Sequence, residues 1–302
     1  MSDRGMLGGL YLGCPQWHHR QWTQSIFPTG STPRDSLAHY SAVFNAVEGN
    51  TTFYATPPAQ VIGRWAAQTP ESFRLVLKLP QQVTHERLLD SKALDIARQF
   101  LEYMEPLGER LSYTLIQLPA HFDEHRFDPL YRFLSSLPRE SLNGSPRHYA
   151  VELRAPSLTQ PHPNGQGLFE EANALLSATA TERVWMDTRP LRAAPKPYNE
   201  PTQLARDRKP NLPVFPMGLG PAPMVRYVAH PDLESNRLWL TDWAKIFAQW
   251  IKEDRHPFFF AHYPGETLAP QVASLFYELL RAHLAKLPPR PIWPSEEQLS
   301  LF

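Results

Sequence analysis

Short apolar runs in this chain repeatedly end in a charged or amide side chain, a pattern that can bring catalytic groups together. These side chains are Glu48, Asn50, Lys78, Gln117, Glu152, Arg154, Asp187, Arg189, Arg226 and His262. Three pairs among them are spaced two residues apart, so in an extended strand both members of a pair point to the same face. Because an isolated buried charge is costly, we expect these groups to meet one another, water or a ligand.

The mixture of charges indicates what chemistry such a site supports. The cationic members favour an anionic ligand, since guanidinium groups bind phosphate or carboxylate through paired hydrogen bonds. The acidic and imidazole members are candidates for a general base or a proton shuttle. We predict as catalytic Glu48, Glu152, Asp187, His85 and His262. We predict as ligand-binding Asn50, Lys78, Gln117, Arg154, Arg189, Arg226, Trp17 and Tyr54. This interpretation points to an anionic small molecule or a nucleic acid, with a phosphodiester as one form of substrate.

Two other functions use the same residues. In a glycosidase, Glu152 with Glu48 or Asp187 would supply the two carboxylates. The aromatic side chains that would stack on a sugar ring are Trp17, Tyr54 and Trp65. Alternatively, the charges satisfy one another as an ion-pair network that plugs the fold, and the protein is a non-catalytic binding or adaptor protein.

Metal and thiol chemistry are less favoured by the pattern. A metal site built from Glu48, Glu152, Asp187 and His262 has no closely spaced ligand pair, and the basic neighbours repel a cation. The single cysteine, Cys14, is more typical of a small buried apolar residue than of a nucleophile. We therefore expect neither a metal nor another cofactor.

The elements that must position these groups alternate regularly. Predicted strands, many apolar on both faces, lie at 10–14, 46–50, 74–79, 114–118, 149–154, 184–188, 225–229 and 258–262. Predicted helices lie at 36–44, 59–68, 91–104, 129–137, 167–179, 242–252 and 269–286, with a weaker one at 202–208. Strands buried on both faces are typical of a parallel sheet covered by helices. The α/β pattern predicts a single TIM-like (β/α)8 barrel, in which strand ends form the site. An open doubly wound sheet is weakened because no Gly-rich nucleotide motif follows a strand.

Two segments lie outside this alternation. Residues 189–223 are proline-rich and follow strand six, so we expect this excursion to cover the barrel mouth. Residues 287–302, LPPRPIWPSEEQLSLF, form an extended C-terminal tail, whose prolines at 289–294 are expected to hold the last residues away from the barrel. The alternative is a tail that packs back through Trp293 and Phe302. The predicted division is a barrel at 1–286 and a tail at 287–302.

Several motifs in order resemble the YecE-like family of proteins of unknown function. They are residues 13–17 (GCPQW), 44–54 (FNAVEGNTTFY), 78–80 (KLP), 84–86 (THE), 117–119 (QLP), 151–154 (VELR) and 187–190 (DTRP). The resemblance implies a TIM-like barrel and no established activity, cofactor or substrate. Strands seven and eight, with RYVA at 226–229 and FAHY at 260–263, depart from the Arg-Leu-His-Gly and Phe-Asn-Asn segments of many relatives. Roles proposed for those Asn and His residues are therefore not transferred to this chain.

The bulk composition fits a cytoplasmic globular protein. Lys plus Arg equals Asp plus Glu at 30 each, which argues against coating nucleic acid by overall charge. With one cysteine the chain cannot form an internal disulfide. We expect no signal peptide and no membrane span, since the apolar runs are strand-sized.

The last five residues resemble a partner-binding peptide. Gln298, Leu299, Leu301 and Phe302 match the Gln-Leu-x-Leu-Phe sequence with which bacterial polymerases and repair factors bind the DNA sliding clamp. An extended peptide of this kind inserts its leucine and phenylalanine side chains into apolar pockets. The motif predicts recruitment to the clamp and favours a phosphate-bearing or nucleic-acid-derived substrate.

Overall fold

The fold was examined in a computed structural model, which describes residues 7–23, 25–291 and 293. The described residues form one parallel sheet of eight strands. The strands are β1 (Tyr11–Gly13), β2 (Ala46–Gly49), β3 (Arg74–Lys78), β4 (Leu111–Gln117), β5 (Tyr149–Glu152), β6 (Thr181–Asp187), β7 (Met224–Val228) and β8 (Phe258–His262). Their spatial order is β1-β8-β7-β6-β5-β4-β3-β2, a nearly closed barrel. This confirms the predicted TIM-like fold.

Helices surround the barrel on its outer side. They are α1 (Ser36–Val43), α2 (Thr51–Tyr54), α3 (Ala59–Gln68), α4 (Ser91–Tyr103), α5 (Phe127–Ser136), α6 (Leu168–Ala178), α7 (Arg189–Ala193), α8 (Glu200–Arg208), α9 (Arg237–Lys252) and α10 (Ala269–Arg281). The one-turn helices α2 and α7 were not predicted, because four or five residues are too few to show a helical period. Helix α9 begins earlier than predicted and α10 ends earlier, at Arg281.

Side chains close the barrel between β1 and β2. The Tyr40 hydroxyl accepts the Cys14 N–H at 2.7 Å and donates to the Ala46 carbonyl at 3.0 Å. The Asn45 side chain joins the β1 backbone through an accepted and a donated hydrogen bond, each of 2.8 Å. A Cβ atom on Gly13 would lie 2.0 Å from the Ala46 carbonyl oxygen, so this approach requires glycine.

Each strand buries both of its faces, as the apolar runs predicted. One set of apolar side chains, including Val76, Leu115 and Phe260, fills the barrel interior. The alternate set, including Leu77 and Phe259, packs against the helices. The apolar side chains fill the barrel interior. The polar side chains come after them along each strand and therefore lie at the carboxyl end of the barrel.

Strand β6 begins three residues earlier than predicted, with a polar sequence that is nevertheless buried. Glu182 accepts backbone N–H groups of Leu219 and Gly220 at 3.0 and 2.9 Å. The Arg183 guanidinium lies between the Phe169 and Trp185 rings, 4.7 and 4.4 Å from their centroids. From the sequence alone, a polar run of this kind predicts a loop. In the folded chain, these tertiary contacts offset the free-energy cost of burying the polar side chains.

The excursion after β6 covers the mouth, as predicted. Helices α7 and α8 belong to it, and its residues contact the strand ends, including those of β5 and β8. The Arg208 carbonyl accepts a hydrogen bond of 3.0 Å from Arg154, and Lys209 Nζ lies 3.1 Å from Nδ1 of His262. We call residues 189–223 the covering segment.

The first part of the C-terminal tail packs against the barrel. Leu287 and Trp293 are 5% and 7% exposed, and Tyr277 of α10 donates to the Pro288 carbonyl at 2.8 Å. The expectation of an extended spacer away from the barrel is therefore wrong as far as Trp293, because the Leu287 and Trp293 side chains contribute to the apolar core.

No helix among the described residues is both long enough and apolar enough to cross a membrane.

Candidate functional site

Five inward-facing polar side chains meet where the strands end. We call Glu48, Lys78, Glu152, Arg226 and His262 the mouth cluster. They come from β2, β3, β5, β7 and β8, and each is at most 5% exposed. All five were predicted as site residues, and the structure brings them together at the end of the barrel that holds the active site in TIM-barrel enzymes.

Arg226 is the centre of the mouth cluster. Its Nε and Nη2 atoms donate to the two carboxylate oxygens of Glu48, each at 2.7 Å. Its Nη1 atom donates to Oε2 of Glu152. A planar guanidinium with a fixed fork of donors can hold two carboxylates in this way, which an ammonium group cannot.

Both buried glutamates are held as carboxylates. Burial raises the pKa of Glu48, but Arg226 and then His262 and Lys78 outweigh it and keep that pKa well below the usual range. The pKa of Glu152 is also lowered, because Arg226, Arg154 and Lys78 outweigh burial. Neither side chain is suited to donate a proton near neutral pH.

Lys78 is the group of the cluster best placed to exchange a proton. Its Nζ donates to Oε1 of Gln117 at 2.8 Å and lies 3.6 Å from Glu48 Oε1. Burial and then the Arg226 charge lower its pKa to about 7, although Glu48 and Glu152 act in the opposite sense. A lysine with this pKa is present in both charge states at neutral pH and can act as a general acid or base.

His262 links the mouth cluster to the covering segment. Its Nε2 atom lies 3.3 Å from Glu48 Oε2, and its Nδ1 atom lies 3.1 Å from Lys209 Nζ and 3.7 Å from Glu266 Oε1. Burial, followed by Arg226, lowers the pKa of Lys209. Lys209 and Glu266 were not predicted. The available signal for Lys209 was its place in the segment expected to cover the mouth.

Arg154 and His85 lie above the buried carboxylates. Arg154 Nε is 3.4 Å from Glu152 Oε1, and its side chain is 18% exposed. Half-buried His85 follows β3 in a single π-helical turn, with its ring edge-on to Phe53. Its pKa is lowered first by burial and then by Arg154. The Glu266 side chain is 22% exposed, so the groups toward solvent include one acid as well as these two bases.

Asp187 and Arg189 do not join the mouth cluster. Asp187 points to the helix layer, where its Oδ2 accepts the Trp243 indole N–H at 2.8 Å. Arg189 donates to both Asp187 oxygens, at 2.9 and 2.8 Å. The two residues do pair as their spacing suggested, but on the outer face of β6, whose inward side chains include Val184.

The remaining predicted ligand residues lie around the rim. Trp17 packs edge-on against Trp65. Tyr54 is 75% exposed. Asn50 donates from Nδ2 to the Pro15 carbonyl at 2.8 Å, while its buried Oδ1 has no hydrogen-bond partner in the described chain. Gln117 contacts Lys78, as above.

Two predictions concern sites elsewhere. Gln298, Leu299, Leu301 and Phe302 lie outside the described residues. In the part of the chain that is described, no group of three or more His, Cys, Asp or Glu side chains is arranged to hold a metal ion.

Comparison with known proteins supplies the family. The family model "Protein of unknown function DUF72" matches residues 11–298. The UPF0759 protein YecE of Escherichia coli K12 is 34% identical over 290 residues, which cover 96% of this chain and 99% of that protein. The chain belongs to the DUF72 family. The UPF0759 protein YunF of Bacillus subtilis strain 168 is 32% identical over 120 residues, or 38% of this chain and 41% of that protein.

Solved DUF72 structures share the fold. A DUF72 family protein from Enterococcus faecalis V583 superposes with a TM-score of 0.62 at 18% identity, covering 94% of this chain and 99% of that one. Another, from Thermotoga maritima MSB8, gives a TM-score of 0.62 at 21% identity, covering 90% and 99%. At these identities, the likeness concerns the barrel alone.

Proposed function

We propose that the barrel mouth of this DUF72 protein binds a phosphate-bearing substrate and that Lys78 transfers a proton during its conversion. One observation carries the proposal: basic side chains outnumber acidic ones around the floor of the site, which Glu48, Glu152 and Arg226 form. The two glutamates of the floor are fully buried against Arg226. Lys78 Nζ lies 3.6 Å from Glu48, Arg154 Nε lies 3.4 Å from Glu152, and Lys209 Nζ lies 3.1 Å from His262. Glu266 is the one further acidic side chain that these groups contact in the described chain. This excess of positive charge favours an anionic ligand.

Phosphate-ester hydrolysis is the reaction that these groups support best. Cations at the mouth would stabilise the charge of the phosphoryl group, which is the main requirement of phosphoryl transfer. Neutral Lys78 would take a proton from the attacking water as the water oxygen bonds to phosphorus. The P–O bond to the alcohol would break, and the Lys78 ammonium would return that proton to the leaving alkoxide. A substrate derived from nucleic acid is one member of this class.

A glycosidase is less well supported by the same geometry. Retaining and inverting enzymes both need one carboxyl group that is protonated near neutral pH. Here Glu48 and Glu152 share one guanidinium, and the pKa of each is lowered. The adaptor interpretation fits the ion pairs of Arg226, Lys78 and Arg154 with the two glutamates, but it gives no account of the excess of basic over acidic side chains.

Recruitment to the sliding clamp is a second proposal, supported by the sequence of residues 298–302. The motif lies shortly after Trp293, whose side chain packs against the barrel. Clamp recruitment would bring the mouth near DNA, where phosphate esters are abundant.

Binding of orthophosphate tests the proposed site directly. Isothermal titration at about pH 6.5 and low salt should show binding, and Lys78→Met and Arg154→Met should each weaken it about tenfold, since each removes one charge-assisted contact. Lys245→Met, on the exposed side of α9, is the matched control and should bind as the wild type does. An absence of binding, or equal binding by all four proteins, would exclude the site.

Release of p-nitrophenol from its phosphate mono- and diesters, lost in Lys78→Met, would establish hydrolysis.

A further inference from the structure

One oxygen of the floor lacks a hydrogen bond in the described chain. Glu152 Oε2 is bound by Arg226, but Glu152 Oε1 is buried and accepts no hydrogen bond. Its nearest cation is Arg154, whose Nε lies 3.4 Å away, without the geometry of a hydrogen bond. A carboxylate oxygen in this condition is a strong acceptor for any donor that reaches it.

Arg154 covers this oxygen but is held loosely. Its Nη2 donates to the Arg208 carbonyl at 3.0 Å, and its Nε has no hydrogen-bond partner among the described residues. The side chain is 18% exposed, in contrast to 4% for Arg226. An anion at the rim would draw the Arg154 guanidinium toward itself. That movement would uncover Glu152 Oε1 beside the bound anion.

We propose that the ligand is a hydroxyl-bearing phosphate ester, such as a polyol or sugar phosphate, whose phosphate binds Arg154 and whose hydroxyl donates to Glu152 Oε1. This inference rests on the proposed function and specifies its substrate. A hydroxyl suits the position because it donates to the carboxylate and can also accept from Lys78 or Arg154. The donor must lie within a few ångströms of the phosphate, which a hydroxyl on a neighbouring carbon satisfies.

A second acceptor at the rim fits the same ligand class. Asn50 is oriented by its hydrogen bond to the Pro15 carbonyl, so that Oδ1 is its free end. This buried oxygen is also without a hydrogen-bond partner in the described chain. Asn50 directly follows β2, the strand that carries Glu48. Two such acceptors, just after β2 and at the end of β5, match a ligand with hydroxyl groups better than a bare phosphate.

Two matched ligands test the inference. Glycerol 3-phosphate and propyl phosphate have the same three-carbon chain, and only the former carries hydroxyl groups. By isothermal titration, the wild type should bind glycerol 3-phosphate about tenfold more tightly, the effect of one hydrogen bond to a charged acceptor. Glu152→Gln should reduce this preference to less than about threefold. Arg154→Met should weaken both ligands and leave their ratio nearer the wild-type value.

The ratio separates the two proposals. If the wild type binds both ligands equally, the hydroxyl inference is wrong and phosphate binding stands. If it binds neither ligand nor orthophosphate, both proposals are wrong. A preference that persists in Glu152→Gln would place the hydroxyl at another acceptor and overturn the inference. Because Glu152 is buried, the folding of Glu152→Gln should be checked by circular dichroism and by its denaturant midpoint. If this variant does not fold, the ratio of the wild-type affinities for glycerol 3-phosphate and propyl phosphate decides the case.

Discussion

Arg226 determines how the other residues of the mouth behave. Two carboxylates close together normally raise one another's pKa, yet here both pKa values are lowered because one guanidinium binds both. The two carboxylates in turn raise the pKa of Arg226, which burial alone would lower. The same positive charge opposes protonation of Lys78. One residue thereby holds two groups as anions and, after burial, is the second cause of the lowered pKa of Lys78.

At the residue scale, Lys78 should make stability depend on pH. Its pKa is about 7 in the folded protein, whereas an unfolded lysine has a pKa of about 10.4. Between these values the unfolded state binds more protons, so the free energy of unfolding rises with pH. From about pH 7 to about pH 9 we expect a rise of about 2 kcal/mol that Lys78→Met lacks. Below about pH 7 both states are protonated, and the Lys78 contribution becomes constant.

Urea unfolding across this pH range provides the measurement. The quantity to compare is the difference between wild type and Lys78→Met, because other groups then cancel. Lys245→Met replaces a lysine with an exposed side chain and should keep the wild-type slope. Parallel curves for the wild type and Lys78→Met would show that Lys78 has an ordinary pKa and would remove it as the proton-transfer group.

At the scale of elements, the β1–β2 closure differs from the other strand junctions of the barrel. Elsewhere neighbouring strands are joined by parallel pairing, with a register shift between β3 and β4. Here the hydroxyl of Tyr40 and the amide of Asn45 replace part of that ladder. Glu48 of β2 takes part in this junction, since its backbone N–H donates to the Cys14 carbonyl at 3.1 Å, so the position of the mouth cluster depends on it.

Tyr40→Phe should therefore destabilise the protein by about 2 kcal/mol, because it leaves a buried N–H and a buried carbonyl without their partner. The free energy of urea unfolding checks this. Tyr103→Phe removes the hydroxyl of a half-exposed tyrosine on α4 and should change stability by less than about 0.5 kcal/mol. Equal effects of the two substitutions would mean that the Tyr40 hydroxyl does not hold the junction.

At the scale of the whole molecule, the family model continues beyond the last helix into the tail, to residue 298. Helix α10 and the buried Leu287 and Trp293 show how this region adds to the core. Leu287 lies against Gly8, which precedes β1 and so belongs to the end of the barrel opposite the mouth. Clamp binding and ligand binding should therefore be independent properties.

The tail prediction concerns partner binding. Full-length protein should bind purified bacterial sliding clamp in surface plasmon resonance, and a chain lacking residues 298–302 should not, since the proposed pockets receive Leu299, Leu301 and Phe302. Leu142→Ala removes a leucine that is 81% exposed on the barrel and should bind normally. Binding that survives the deletion would disprove recruitment by this peptide. The deletion should leave orthophosphate binding unchanged.

The sequence by itself determined the barrel and the edge at which its polar groups collect. Apolar runs buried on both faces require helices on one side and a filled interior on the other, and this pattern is local in the chain. The polar residue at the end of each run then marks the strand end. Glu48, Lys78, Glu152, Arg226 and His262 could be predicted on this basis, as could the covering segment.

Only the tertiary structure decided which of these side chains share one site. A strand that is apolar on both faces gives no signal of which face looks inward, so Asp187 could not be assigned to the helix layer from its spacing with Arg189. The ion pair of Arg226 with Glu48 joins residues 178 positions apart, and Lys209 enters from a loop. Such contacts depend on barrel closure and strand register, which bring distant residues together and set the charge that each side chain carries.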